Sequence, residues 1–140
     1  AAEALVVFDP ARADEIAFRR KRAGHLISKQ RFVSAQLEAW LRDDLWRRLA
    51  EAANAGAARL SAGLADVPGV RIEHPTQINE VFAVMPKRLA EGLFAAGFEF
   101  YDWPDGTPDL YRLVVRWDTP PAQIDGLLEA AHALAAGREP

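Results

Sequence analysis

Ser28 to Ala65 reads SKQRFVSAQLEAWLRDDLWRRLAEAANAGAARLSAGLA, the longest helical pattern in this 140-residue chain. Apolar residues recur there at spacings of three and four, from Val33 onward, which is the pattern of one helix face. At 1.5 Å per residue such a helix would be roughly 55 Å long. That length predicts a helix that bridges two lobes, packs on another chain, or bends near Gly56.

The segment before this helix predicts a buried strand and a first helix. Ala4 to Phe8 is a short apolar run, as in a strand buried on both faces. Asp9 and Pro10 suit the N-cap and first position of a helix to about Arg22, which Gly24 would end. A core strand at the very start suggests that the chain is the C-terminal part of something longer.

The segment after the long helix alternates between strands and helices. Pro68-Gly69 ends the long helix, and a last helix opens at Thr119-Pro120-Pro121. Between them we predict strands at Val70–Glu73, Glu80–Met85, Phe98–Tyr101 and Leu110–Trp117, and a helix at Lys87–Ala96. The order predicts three parts of a two-domain α/β enzyme: residues 1–27 end a large domain, 28–66 form an interdomain helix, and 67–140 form a small α/β domain.

Composition excludes several classes of protein. Half of the residues are apolar, a quarter are charged, and the net charge is -3, so the chain is globular and not a general polyanion binder. It has no cysteine, which excludes thiol chemistry and suits a reducing compartment such as the cytoplasm. No apolar run approaches the roughly 20 residues of a membrane span.

A basic cluster lies at Arg19–Gln36, RRKRAGHLISKQRFVSAQ. Ser28 would cap the helix that follows, and Lys29 and Arg31 would add charge to a helix N-terminus, so the turn could hold a phosphate or carboxylate. The alternative is a solvated helix end, which we favour for the run from Arg19 to Arg22. A nucleic-acid site is disfavoured because stacking aromatics are not interleaved with the cations.

A second candidate site lies on the predicted strand LYRLVVRW, where Arg112 and Arg116 share one face. A guanidinium in mid-strand suits bidentate binding of a carboxylate, although an internal salt bridge or a wet sheet face would also explain it. The histidines His25, His74 and His132 lack the spacing of metal ligands, so we predict no metal site. His25 lies in the candidate anion turn.

Four stretches together resemble the C-terminal part of low-specificity L-threonine aldolases, closest to the bacterial branch with phenylserine aldolases. They are AEALVVFD, FRRKRAGHLISKQRFVSAQLEAWL, NEVFAVMP and YRLVVRWDT. The resemblance implies a fold-type-I (aspartate aminotransferase-like) enzyme that uses pyridoxal 5'-phosphate (PLP). Such lyases cleave β-hydroxy-α-amino acids such as threonine to glycine and an aldehyde, as homodimers or homotetramers, in amino acid metabolism.

The resemblance also implies roles for individual residues. Arg112 matches the arginine that grips the substrate carboxylate, and Lys29 matches a basic position near the cofactor phosphate, with Arg31 and His25 as further candidates. The Schiff-base lysine would lie upstream of Ala1, so this chain would contain no catalytic residue and would be inactive by itself. Its partners would be the amino-acid substrate and the missing N-terminal segment, not nucleic acid or membrane.

Two alternatives remain. The chain could belong to another fold-type-I PLP lyase or aminotransferase that shares this lobe. It could also be a non-catalytic α/β module whose long helix binds a partner protein, a view favoured by the absent lysine.

Overall fold

The computed structural model describes residues 2–137, which form two compact units, one up to Trp46 and the other from Arg47. The predicted domain ranges also include Ala1 and residues 138–140, which lie outside the described residues.

The first unit begins with the predicted helix. A single 3-10 turn, Pro10–Arg12, leads into α1, Ala13–Arg22. Asp9 caps this start, and its carboxylate accepts a hydrogen bond from the Ala11 N–H at 3.0 Å. Gly24 follows with φ +78°, a left-handed conformation that glycine adopts without steric cost. The predicted capping and ending of this helix are therefore confirmed.

The predicted strand at Ala4–Phe8 is wrong. These residues have no regular secondary structure, and the side chain of Phe8 is 93% exposed. A strand requires a hydrogen-bonded neighbour, and within residues 2–137 the ladders join only strands of the second unit. The segment therefore has the apolar composition of a strand but pairs with no other strand among the described residues.

The predicted continuous helix is also wrong. It consists of α2, Gln30–Leu41, and α3, Leu45–Ala65, separated by a turn in which Asp43 and Asp44 have φ of 51° and 56°. Aspartate tolerates this left-handed backbone better than most residues. The break is thus not at Gly56, which lies inside α3. Lys29, not Ser28, is at the N-cap position of α2, and its side chain makes no capping bond.

The second unit is a four-stranded antiparallel sheet with helices against one face. Its strands are β1, Arg71–Ile72; β2, Glu80–Val84; β3, Tyr101–Asp102; and β4, Leu110–Val114, in the order β1-β2-β4-β3. The helices are α3, α4 at Lys87–Ala95, and α5 at Pro121–Ala135. The predicted strands and helices of this region are confirmed in type, but β3 starts later and β4 ends earlier than expected.

The core of the second unit has contributions from every helix and from one face of the sheet. Strand residues alternate between faces, and Val81, Ala83, Tyr111 and Leu113 are buried with the helices. The buried side of β4 carries Tyr111 and Leu113, and Val115 just after the strand is buried as well, whereas Trp117 is 55% exposed. The opposite sheet face, which carries Arg112, is the one open to a ligand.

Candidate functional site

Arg112 lies in the middle of β4 on the sheet face opposite the helices. It is directly opposite Phe82 of β2 and Tyr101 of β3. Residues that oppose each other across a ladder project from the same face. The register therefore places one guanidinium between aromatic residues from both neighbouring strands.

Two aromatic rings cover the Arg112 guanidinium, and we call them the aromatic clamp: Tyr101 and Trp103. The guanidinium carbon lies 5.3 Å from the Tyr101 ring centroid and 4.6 Å from the Trp103 centroid. Phe82 packs against the clamp: its ring centroid lies 5.6 Å from that of Trp103 in a T-shaped arrangement. Cation–π contacts at these distances hold the charge without using its hydrogen-bond donors.

Glu80 is the acidic neighbour of Arg112. Its Oε1 lies 3.6 Å from Arg112 Nη1, and the two side chains are 27% and 26% exposed. That distance is an ion pair but exceeds a hydrogen bond. The internal salt bridge considered from the sequence is therefore present in a loose form.

The Nε of Arg112 is buried and has no hydrogen-bond partner among the described residues. A buried donor without an acceptor is costly, and a guanidinium offers five donors in a planar fork that matches a carboxylate. A half-buried arginine with such unused capacity is suited to binding an anion. The geometry therefore fits an anion such as a carboxylate.

Arg116 does not share this site. It follows the end of β4, and its Nη2 donates to Asp118 Oδ2 at 2.7 Å on the surface. Its side chain is 71% exposed. The prediction that Arg112 and Arg116 project from the same strand is wrong because the strand ends at Val114.

The candidate phosphate residues His25, Lys29 and Arg31 lie in the first unit, around the start of α2. All three are exposed. The His25 N–H donates to the Arg20 carbonyl at 3.0 Å, and the Arg31 guanidinium carbon lies 4.8 Å from the Phe32 ring centroid. They therefore share one short segment, whereas Arg112 belongs to the second unit.

Sequence reasoning missed Glu80, Tyr101 and Trp103. Glu80 and Phe82 alternate on β2, so a charge on an otherwise apolar strand was the available signal. Trp103 lies in the turn-rich stretch WPDGTPD, and its backbone N–H donates to the Leu110 carbonyl at 2.9 Å. The contact of its ring with Arg112 depends on the path of the loop after β3, which the sequence pattern does not specify.

Neither a metal cluster nor a membrane helix is found in residues 2–137. No group of three or more histidine, aspartate or glutamate side chains there could hold a metal ion. No helix in the same range is long and apolar enough to cross a bilayer.

Comparison with known sequences identifies the relatives of this chain. No family model matches it. It is 38% identical over 118 residues to the low-specificity L-threonine aldolase of Pseudomonas aeruginosa, and 37% identical over 132 residues to that of a Pseudomonas species. The chain is related to the low-specificity L-threonine aldolases. The matches cover 84% and 94% of the chain but only 33% and 38% of those proteins, so it spans about a third of their length.

Two solved structures share the fold of this chain. The threonine aldolase of Leishmania major matches 83% of the chain with a TM-score of 0.69 and 26% identity, over 34% of its own chain. A glycine decarboxylase (P-protein) of the glycine cleavage system matches 73% of the chain with a TM-score of 0.62 and 24% identity, over 25% of its own chain. The fold is that of PLP fold-type-I enzymes, as predicted, and the chain fits their C-terminal part.

Proposed function

We propose that the chain is the substrate-carboxylate-binding part of a PLP-dependent aldolase, which cleaves β-hydroxy-α-amino acids such as threonine and phenylserine to glycine and an aldehyde. The observation that carries the proposal is Arg112, whose buried Nε has no hydrogen-bond partner in the described chain. The threonine aldolases among the relatives supply the reaction type.

Arg112 would bind the α-carboxylate of the amino acid through two parallel N–H···O bonds. Such a pair fixes the plane of the carboxylate and therefore the orientation of the Cα–Cβ bond. The aromatic clamp would keep the guanidinium from rotating as the ligand arrives. PLP, when bound, would supply the electron sink for the bond cleavage.

The phosphate of PLP would be held at the start of α2. The first N–H groups of a helix are unpaired and attract anions, and α2 has no side-chain cap. Lys29 would contribute a point charge and Arg31 a planar donor fork, with His25 as a weaker third contact. Their exposure in this chain leaves all three side chains open to such a ligand.

The remaining part of the protein and a second subunit would cover the first unit. Large apolar side chains are exposed there, among them Phe8 at 93%, Leu5 at 74% and Phe18 at 73%. Exposed apolar side chains in such density mark an interaction surface. We propose that the upstream segment and a homodimer or homotetramer interface bury them.

The decisive experiment replaces Arg112 in the full-length protein. Arg112→Ala should raise the dissociation constant of threonine and glycine by about 100-fold, since a charged pair contributes a few kcal/mol, and should change the PLP dissociation constant less than about threefold. Arg116→Ala, which removes an exposed arginine of the same unit, should leave both constants unchanged. Unaltered amino-acid binding in Arg112→Ala would refute the assignment.

Two further measurements separate the alternatives. Turnover of threonine and phenylserine, but not transamination of simple α-keto acids, supports an aldolase over an aminotransferase. The 140-residue chain alone should cleave neither substrate, because none of its lysines, Lys21, Lys29 and Lys87, is in the sequence context of the cofactor lysine. Visible absorption of bound PLP together with cleavage by that chain would contradict this.

A further inference from the structure

Glu80 lies close to the position that a substrate carboxylate bound to Arg112 would occupy. In the ladder Glu80 opposes Val114 and Phe82 opposes Arg112, so Glu80 is the diagonal neighbour of Arg112 on the open face. Its Oε1 lies 3.6 Å from Arg112 Nη1. A carboxylate bound to the same guanidinium would therefore lie within a few ångströms of Glu80, where like charges repel.

Arg112 has other contacts besides the one with Glu80. Tyr101 and Trp103 already cover the guanidinium at 5.3 and 4.6 Å. The ion pair is longer than a hydrogen bond, and both partners are about a quarter exposed. A pair of that kind contributes little to stability. The Glu80 carboxylate therefore lies beside the Arg112 guanidinium, where a bound anion would lie, but it leaves hydrogen-bond donors of the arginine unused.

We propose that Glu80 tunes the affinity of this site: it competes with the ligand carboxylate for Arg112 and so weakens the binding of every amino acid there. The inference rests on the proposed role of Arg112 in binding the α-carboxylate. Because substrate and product glycine carry the same carboxylate, the competition weakens both alike. It acts on binding and not on the chemical step, and it hastens the release of glycine.

The test is Glu80→Gln in the full-length protein, which removes the charge and keeps the shape. Glycine, titrated by calorimetry, should bind about three- to tenfold more tightly than to the unaltered protein. Glycinamide, which lacks the carboxylate, should bind equally to both proteins. Glu129→Gln, an exposed glutamate of α5, is the matched control and should leave glycine binding unchanged.

Steady-state kinetics and a double variant complete the test. In Glu80→Gln the KM for threonine should fall by the same factor while kcat changes less than about twofold. Combined with Arg112→Ala, the Glu80→Gln change should no longer tighten glycine binding. Thermal unfolding of each variant verifies that the fold is retained, and Glu80→Asp supplies a charged variant if Glu80→Gln unfolds. Glu80→Asp should bind glycine no more tightly than the unaltered protein.

Weaker or unchanged glycine binding in a folded Glu80→Gln would overturn the inference, because Glu80 would then support Arg112 instead of competing with its ligand. Tightening that persists in the Arg112→Ala background would overturn it as well. The two proposals fail differently. Loss of binding in Arg112→Ala without tightening in Glu80→Gln refutes the competition alone, whereas unchanged binding in Arg112→Ala refutes both.

Discussion

The guanidinium carbon of Arg112 lies 4.6 Å from the centroid of the Trp103 ring. Trp103 is fixed in turn by the hydrogen bond from its backbone N–H to the Leu110 carbonyl and by a T-shaped contact with Phe82, whose ring centroid lies 5.6 Å away. The arginine is thus oriented by stacking on a ring that the sheet itself anchors. Its buried Nε nevertheless has no hydrogen-bond partner among the described residues.

Trp103→Leu should therefore weaken amino-acid binding through Arg112. Loss of a partly desolvated cation–π contact predicts a threonine KM raised about three- to tenfold with kcat nearly unchanged. Trp103→Phe, which keeps a ring, should restore most of the affinity. The comparison of kcat and KM identifies a positioning role, since general loss of folded protein would lower kcat alone.

The control for this change is Trp117→Leu, at a tryptophan that follows β4 and is 55% exposed. It removes the same ring and should leave both kinetic constants unchanged. Equal effects of the two substitutions would show that ring loss, and not the contact with Arg112, causes the change.

The sequence sufficed to find Arg112 because strand alternation is a local property. An arginine in the middle of an apolar strand must have a partner or a ligand wherever the strand lies. Glu80 and Trp103 could not be assigned in the same way. Their proximity to Arg112 depends on the register of β2 against β4 and on the path of the loop after β3. The spacing of apolar residues within one segment determines neither of these.

Two of the errors in the first half of the chain have related causes. The strand predicted at Ala4–Phe8 depends on a partner strand that the apolar pattern does not specify. The helix break at Asp43 and Asp44 depends on two left-handed residues, while the apolar spacing continues across them. Periodicity reports which face is apolar, but not whether the backbone is interrupted.

Gly63 and Gly126 provide a matched test of packing in the second unit. A Cβ at Gly63 of α3 would lie 2.5 and 2.7 Å from the two methyl carbons of Leu128, whereas one at Gly126 of α5 would meet only Phe98 Cζ at 4.0 Å. Gly63→Ala should lower the free energy of unfolding by about 1 kcal/mol, since overpacking outweighs the gain in helix propensity. Gly126→Ala should raise it by about 0.5 kcal/mol.

Urea unfolding of the two variants measures this difference directly. If Gly63→Ala were as stable as Gly126→Ala, the close approach of α3 and α5 at Leu128 would be incorrect.

Tyr111 should make the fold sensitive to alkaline pH. Burial raises the pKa of the Tyr111 phenol above its ordinary value of 10.0, and the nearby charges of Asp109 and Asp102 raise it further. The folded state therefore holds this proton more tightly than the unfolded state. The resulting stability is fully present below pH 10 and is lost as the pH rises through the folded-state pKa.

The free energy of unfolding should thus decline above about pH 10, and that of the Tyr111→Phe variant should decline less steeply over the same range. Chemical denaturation at pH 8 and at several values above 10 measures both slopes. If the free energy of unfolding fell equally steeply with pH in both proteins, the raised pKa of Tyr111 would be contradicted.

Lys29 should contribute to cofactor binding and Lys21 should not. Both are exposed lysines of the first unit, but Lys29 directly precedes α2, whereas Lys21 is in the last turn of α1 among other cations. A charge at a helix N-terminus adds to the attraction of the unpaired N–H groups for phosphate. In the full-length protein, Lys29→Ala should raise the PLP dissociation constant about three- to thirtyfold.

Equilibrium dialysis with PLP gives the constant without relying on turnover, and the same assay with Arg31→Ala decides which cation makes the main contact. Lys21→Ala is the matched control, since it removes the same charge from a solvated helix end. If Lys21→Ala and Lys29→Ala weaken PLP binding equally, the effect is a general loss of positive potential. A larger effect of Arg31→Ala than of Lys29→Ala would transfer the phosphate contact two residues into the helix, where a planar fork and not a point charge would hold it.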